Sequence, residues 1–277
     1  MEQQVLDLLQ ATTKPNTDIV RQATESLQNL YSNADFPFAL LSVASHTHVQ
    51  VSFRKAALTT LKNYVTSTWS PTPEDPFYGA TPLNEEAKTR IREQVFALCT
   101  NDSIDSSNDN NIQALAAGIA SRIAHTDFPD TWPTLFPTLI SILTGTTNDA
   151  QVLGALRVMS QLIDSGFTEE QFFAVARDLV NALQNVATNS SRKPRIRAMA
   201  MSVFRECFDM LEMIMEDHKV AVKQFLDESL KQWMPFFSET IKAELPQIPT
   251  KDDETSNNAV QEQWKGVIAL KIQVVKV

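Results

Sequence analysis

The side chains able to do chemistry are few, and their spacing does not serve it. His46 and His48 stand two apart at a polar turn, with no cysteine or carboxylate beside them to complete a tetrahedral metal set. Asp102, Asp105 and Asp109, in the run NDSIDSSND, lack the ligand order and central glycine of a calcium loop. They read instead as a turn with a helix cap. Cys99 (in VFALCT) and Cys207 (in FRECFDML) lie in apolar helical contexts without an activating histidine nearby, so both are expected to be buried, inert thiols. Neither GxxxxGK[ST] nor GxGxxG occurs, which removes the phosphate-cradling loops of nucleotide enzymes. The expectation is a protein without catalytic residues, metal or cofactor, working through its surfaces. Two runs could serve such a surface. Met199, Met201, Met210, Met213 and Met215 would suit a plastic groove or, more simply, an apolar core. SRKPRIR holds Arg192, Lys193, Arg195 and Arg197 and reads as an exposed basic turn.

The bulk composition agrees with a binding protein. Of 277 residues, 43% are hydrophobic and 21% charged, enough for a core in a soluble chain, and only 6 are glycine. Glycine is what α/β enzymes spend on tight turns and phosphate loops, so its scarcity favours helices joined by short polar turns. The net charge of −9 argues against direct nucleic-acid binding, which needs a basic face to replace phosphate counterions. It would attract basic protein segments instead. Two distant cysteines exclude a disulfide framework and point to a reducing, cytosolic or nuclear compartment. No signal peptide and no membrane-length apolar run is visible.

The elements that must carry these residues are helices, because the apolar spacing is helical nearly throughout. Val5 to Leu9 opens a short helix, and Ile19, Val20, Ala23, Leu27 and Leu30 mark its partner, capped by Asn16 or Thr17. The second pair is Phe36–Ala44 with Val49–Trp69, whose inner stripe is Phe53, Ala57, Leu61, Val65 and Trp69. SPTPEDPFYGATPLN (70–84) has four prolines and cannot continue a helix. Further pairs are expected at 85–100 with 108–125, 127–143 with 149–164, 168–187 with 194–215, and 218–245 with 259 onward. First helices thus begin near 2, 35, 84, 129, 168 and 218, a spacing of about 40 residues, the period of HEAT and armadillo pairs. One hairpin cannot bury both its apolar faces, so the expected fold class is all-α, a right-handed α-solenoid of about six HEAT repeats built from antiparallel helix pairs. The final stripe (Val267, Ile268, Leu270, Ile272, Val274, Val275) has no cap, and the chain is expected to continue in a longer protein.

The most distinctive run is IQALAAGIASRIAHTDFPDTWPTLFPTLISIL (112–143). Asp127 is placed to cap a helix whose first turn holds Phe128-Pro129-Asp130, while Pro133 and Pro137 should bend or loosen that helix start. Ile119, Ile123-Ala124, Asp127-Phe128-Pro129 and Trp132-Pro133 resemble the amino-terminal signature of the importin-β family. FRKAALTTLKNYVTSTW (53–69) resembles that family's Arg-x-x-Ala-x-x-x-Leu-Lys-Asn helix, through Arg54, Ala57, Leu61, Lys62, Asn63 and Trp69. Residues 152–164, 191–198 and the stretch to 249 look most like the importin-nine branch and its fungal relatives. The family's often basic entry to the signature helix reads Asn110-Asn111-Ile112-Gln113 here.

The resemblance implies a nuclear transport receptor shuttling between cytoplasm and nucleus. Residues 1–145 would be a Ran-binding region (repeats one to three and the start of the fourth), and 146–277 would continue the repeats. It implies as partners the GTP form of Ran on the second-helix surface, basic protein cargo such as histones, and phenylalanine-glycine nucleoporins between first helices, with no membrane. A HEAT-repeat scaffold of a cytosolic complex, or an exportin, are the alternatives. Candidate Ran contacts are the outward polar positions on second helices: Arg21, Glu25, Gln28, Arg54, Lys62, Asn63, Arg157 and Gln161. Asp127, Phe128, Pro129, Trp132 and Pro133 are signature residues with a structural role.

Overall fold

A computed structural model describes residues 1–74, 83–101, 107–146, 148–165, 167–249 and 258–277. The acidic run at 102–106, most of the proline-rich segment at 75–82 and the polar stretch at 250–257 lie outside the described residues. Among the described residues the fold is all-α, with twelve helices and no strand. The chain packs as two compact units, Met1–Phe128 and Pro129–Val277.

The first unit holds three pairs. They are α1 (Glu2–Thr12) with α2 (Thr17–Asn29), α3 (Phe36–Ser45) with α4 (Val51–Thr68), and α5 (Glu85–Cys99) with α6 (Ser107–Asp127). Asparagine side chains cap two of these helices. The Asn16 side chain accepts from Asp18 N at 3.0 Å and Ile19 N at 3.2 Å, so the cap of α2 is Asn16 rather than Thr17. Asn84 does the same for α5 through Ala87 N at 2.8 Å. First helices stack α1 on α3 on α5, and α4 packs on α6. The seam is apolar and tightly filled: Phe36, Leu40, Leu58, Leu61, Tyr64, Ile91 and Ile119 are fully buried. Tyr31, Phe36 and Tyr64 form an aromatic triad with ring centroids 5.2–5.8 Å apart.

The second unit holds α7 (Leu135–Gly145) with α8 (Asp149–Ser165), α9 (Glu169–Thr188) with α10 (Pro194–Met213), and α11 (Met215–Lys242) followed by α12 (Asn258–Lys276). Helix α9 opens with a full capping box between Thr168 and Gln171. Helix α12 lies chiefly against α10 and also touches α11. Its approach to α10 is close because residue 266 is glycine: a Cβ there would sit 2.8 Å from Arg195 N and 3.1 Å from Pro194 Cβ. Trp233 of α11 stacks on Phe204 of α10 at 3.9 Å between centroids, with Phe236 and Phe237 around it. Helix α11 is kinked near its start at His218, whose backbone is non-helical (φ −124°, ψ 32°).

One element differs from the expectation. The helix predicted from Asp127 to 143 begins only at Leu135. Proline disfavours helical backbone in the residue before it, so Pro129 and Pro133 hold Phe128 and Trp132 out of a new helix. Pro137 then falls in the first turn of α7, where its missing N–H costs nothing. Asp127 is accordingly not an N-cap. It is the last residue of α6, and its side chain points into the first unit.

Candidate interaction surface

Two arrangements in the first unit involve predicted residues. The first is a buried charged hub. The Asp127 carboxylate is 5% exposed, accepts the Trp69 indole N–H at 2.9 Å, and ion-pairs with Arg92 Nε at 3.0 Å. Arg92 also reaches Glu85 at 3.2 Å, and its guanidinium lies 6.0 Å from the Trp69 ring centroid. Lys88 Nζ stands 5.6 Å from the same ring and pairs with Glu85 at 3.3 Å. The ends of α4 and α6 are thereby tied to the middle of α5. Trp69 and Asp127 were singled out in the sequence; Arg92 was not. Its position gives the clue, since Lys88, Ile91, Arg92 and Val95 share the inward stripe of α5, and a cation at a core-facing position requires a buried partner.

The second is a cleft of about 540 Å³ between α2 and α4, walled by the end of α1. Leu27, Tyr31 and Ala56 form its apolar floor, and threonines from three helices form its walls. Thr24 donates to Val20 O at 2.8 Å, Thr59 to Lys55 O at 3.0 Å and Thr66 to Lys62 O at 2.9 Å. These hydroxyl protons are spent on the helix backbone, so these three threonines offer methyl groups and acceptor oxygens. Gln28 and Asn63 line the cleft and add amide groups of both polarities. Burial raises the Tyr31 phenol above its ordinary pKa and pushes Tyr64 beneath it up to about 12, so both stay neutral.

The eight candidate contacts divide by geometry. Gln28 and Asn63 both line the cleft; Lys62 is exposed on α4. Arg21 and Glu25 are exposed on α2 and bond each other at 3.3 Å, with Asp18 3.7 Å from Arg21. Arg54 is not outward: it is 5% exposed, and its Nε donates to Ala44 O at 2.8 Å. The reason is the end of α3, whose last carbonyls lack helical partners and take a donor from the next helix. The cleft threonines went unnoticed because a search for charged and amide side chains passes over hydroxyls facing solvent.

In the second unit, Arg157 is half-buried on α8 and Gln161 is exposed. Burial, and then the charge of Arg195, lowers the Arg157 guanidinium to a pKa of about 10. On α10, burial raises the Glu206 carboxyl above the ordinary range against the opposing hydrogen bonds of Ser160 and Ser202 and the charge of Arg205. The basic turn is only partly the exposed run expected. Arg192 bonds Thr146 O at 2.7 Å and pairs with Asp149 at 3.3 Å, and Arg197 donates Nε to Ala187 O at 2.7 Å. Of the signature residues here, Trp132 is buried, while Pro129 and Pro133 are exposed; Phe128, ending the first unit, is half-buried. Cys99 and Cys207 are fully buried, and desolvation pushes both thiols well above the ordinary range. His46 Nδ1 lies 2.7 Å from Ser42 O and 3.5 Å from Glu2. Met201 and Met210 are core residues, whereas Met213 is 71% exposed. No described helix is long and apolar enough to cross a membrane.

Within each unit, helix pairs stacked first helix on first (α1–α3–α5, α7–α9) and second on second (α4–α6, α8–α10) define a helical-repeat protein of the HEAT type. Residues 23–100 match the Importin-beta N-terminal domain family. The chain is 30% identical over 248 residues to Importin subunit beta-5 of Schizosaccharomyces pombe, covering 88% of this chain and 24% of that protein. It is 20% identical over 263 residues to Exportin-2 of Drosophila melanogaster, covering 89% and 25%. Its fold matches that in the solved Kap95:Nup1 complex with a TM-score of 0.65 at 15% identity, over 99% of this chain and 29% of that one. The chain carries an amino-terminal region of the importin-β family, and spans about a quarter of the length of the curated relatives it matches.

Proposed function

We propose that this chain is the amino-terminal part of a nuclear import receptor, and that its second-helix surface in the first unit engages the GTP form of Ran. The observation that carries the proposal is the coincidence of place. The segment matching the importin-β amino-terminal domain, 23–100, contains almost all of the α2–α4 cleft, with Gln28 and Asn63 on its walls. A neutral cleft lined by hydroxyl and amide groups over an apolar floor suits a protein partner that brings hydrogen-bonding groups and a small apolar side chain. Lys62, Arg21 and Glu25 would contribute at the rim, and Arg157 and Gln161 on α8 would serve the same or a second contact.

Basic protein cargo, such as histones, fits the net charge of −9. A phenylalanine-glycine nucleoporin is the third partner of this reading, supported by the solved Kap95:Nup1 complex among the structures that share the fold. The protein would then work in both cytoplasm and nucleus. Ran and cargo would share one receptor, so each would weaken the other by the same coupling free energy. An exportin is the second reading, favoured by the Exportin-2 match over 89% of the chain.

The test is capture of Ran held in its GTP or GDP form by the immobilised chain, with and without a basic cargo peptide. Selective capture of the GTP form, lost on joint replacement of Gln28 and Asn63 by alanine, supports the proposal. Cargo released by Ran identifies an importin, and cargo bound more tightly in its presence an exportin. Equal capture of both nucleotide states, or none, would favour a cytosolic HEAT-repeat scaffold.

A further inference from the structure

Helix α4 ends at Thr68, and the residues after it read Trp69-Ser70-Pro71-Thr72-Pro73. Trp69 is 3% exposed and locked in the hub, whereas Ser70 and Thr72 are exposed and non-helical. A proline directly after a residue holds that residue in extended backbone, the shape a kinase cleft grips. Ser70 is also one residue from a ring that has Lys88 Nζ 5.6 Å and the Arg92 guanidinium 6.0 Å from its centroid. An exposed hydroxyl with a following proline thus stands next in sequence to a ring flanked by two cations.

We propose that Ser70 is a phosphoacceptor for a proline-directed serine/threonine kinase, and that its phosphate acts on the Trp69–Arg92–Asp127 hub through Lys88. In the transfer, Ser70 Oγ bonds to the γ-phosphorus of ATP as the β–γ bridging P–O bond breaks. ADP leaves with that electron pair, and the hydroxyl proton passes to the kinase's catalytic aspartate. The product carries about −1.5 to −2 charges at pH 7. It stands at the carbonyl end of α4, where the helix already presents partial negative charge, so an isolated phosphate there is disfavoured. A nearby cation relieves it. Arg92 is held at 3.0 Å by buried Asp127 and stays, while Lys88, 20% exposed and paired among the described residues with the exposed Glu85, can turn. The move takes a cation off the Trp69 ring and off Glu85. Thr72 precedes a proline as well but lies two residues farther from the ring. The inference is independent of Ran and cargo.

The test treats the ¹⁵N-labelled 277-residue chain with a cyclin-dependent kinase and Mg–ATP, beside a Ser-Pro control peptide. Tandem mass spectrometry locates the phosphate, and the Trp69 indole N–H cross-peak, assigned by Trp69→Phe, reports on the hub. The proposal expects phosphate on Ser70, its loss in Ser70→Ala and its retention in Thr72→Ala. The Trp69 cross-peak should shift on phosphorylation, and the shift should vanish in Lys88→Ala. Phosphate on Thr72 alone, or none on the chain while the peptide is modified, would overturn the site. An unmoved Trp69 cross-peak, or an equal shift in Lys88→Ala, would overturn the mechanism.

Discussion

Replacing Asp127 by alanine tests whether the hub at the ends of α4 and α6 holds the first unit together. Arg92 has a side chain only 7% exposed, and Asp127 Oδ2 stands 3.0 Å from it; among the described residues Glu85 also pairs with it, but is 70% exposed and attracts it through solvent. Removing Asp127 leaves a buried guanidinium without its main counter-charge, a change that costs about 3–5 kcal/mol. The Trp69 indole loses its acceptor as well, which for a buried donor is about 1–3 kcal/mol and overlaps with the first loss. A destabilisation of about 3–5 kcal/mol should lower the midpoint of thermal unfolding by about 6–20 °C, read by circular dichroism. Asp127→Asn separates the contributions, because an amide oxygen still accepts from the indole while the charge is gone. Pairing Arg92→Met with Asp127→Leu should cost less than the sum of the singles by about 1–3 kcal/mol, since neither charge is then stranded. Additive losses, or an Asp127→Ala midpoint within two degrees or so of the parent, would refute the hub as a stabilising unit.

Three further outcomes follow from the geometry. Gly266→Ala forces α12 away from the first turn of α10, because the new methyl would meet Arg195 N at 2.8 Å; a loss of about 1–3 kcal/mol is expected in urea unfolding, against near-neutrality for alanine at exposed Gly145, which has open space. Glu206→Gln should stabilise at neutral pH. Its folded pKa is raised, so ionised Glu206 costs stability above that pKa; the gain should shrink as pH falls through the raised value and vanish below about 4.3, as urea midpoints between pH 7 and 4 would show. Arg54→Met should cost about 1–3 kcal/mol by stranding the Ala44 carbonyl, and unfolding of Arg197→Met should show a smaller loss because Arg197 is less buried.

Much of the fold was legible because helical periodicity reports which face is buried, and each pair must bury one. The starts of α1, α3, α5 and α9 fall within a residue of expectation for that reason. The start of α7 did not, because a proline-rich tract suits a helix's first turn and a non-helical link equally well, and only the inward pull of Trp69 and Arg92 on Asp127 decides between them. The surface was legible in part. The outer polar stripe of α2 and α4 led to the expectation that Gln28 and Asn63 face outward, and both are exposed, lining the cleft. Arg54 looks the same in a one-dimensional pattern, since a guanidinium that solvates itself on a carbonyl and one that faces water obey the same spacing.

The same closure appears in both units, and it bears on how binding surfaces stay available. In α3–α4 and in α9–α10, the next-to-last residue of the first helix is alanine, and the fourth residue of the second helix is an arginine whose Nε bonds that alanine's carbonyl, at 2.8 and 2.7 Å. Each hairpin thus satisfies an orphan carbonyl from within, independently of its neighbours. A pair stapled at its own turn does not need its second helix fully covered by the next pair. In the first unit α1 and α3 pack, α4 and α6 pack, and α2 packs on α1, with the cleft between α2 and α4. Filling that gap with apolar bulk, as in Thr59→Leu with Thr66→Leu, should therefore leave the unfolding midpoint near the parent's while abolishing any partner that reads the cleft; a large loss of stability instead would mean that the gap is part of the packing rather than a surface kept open.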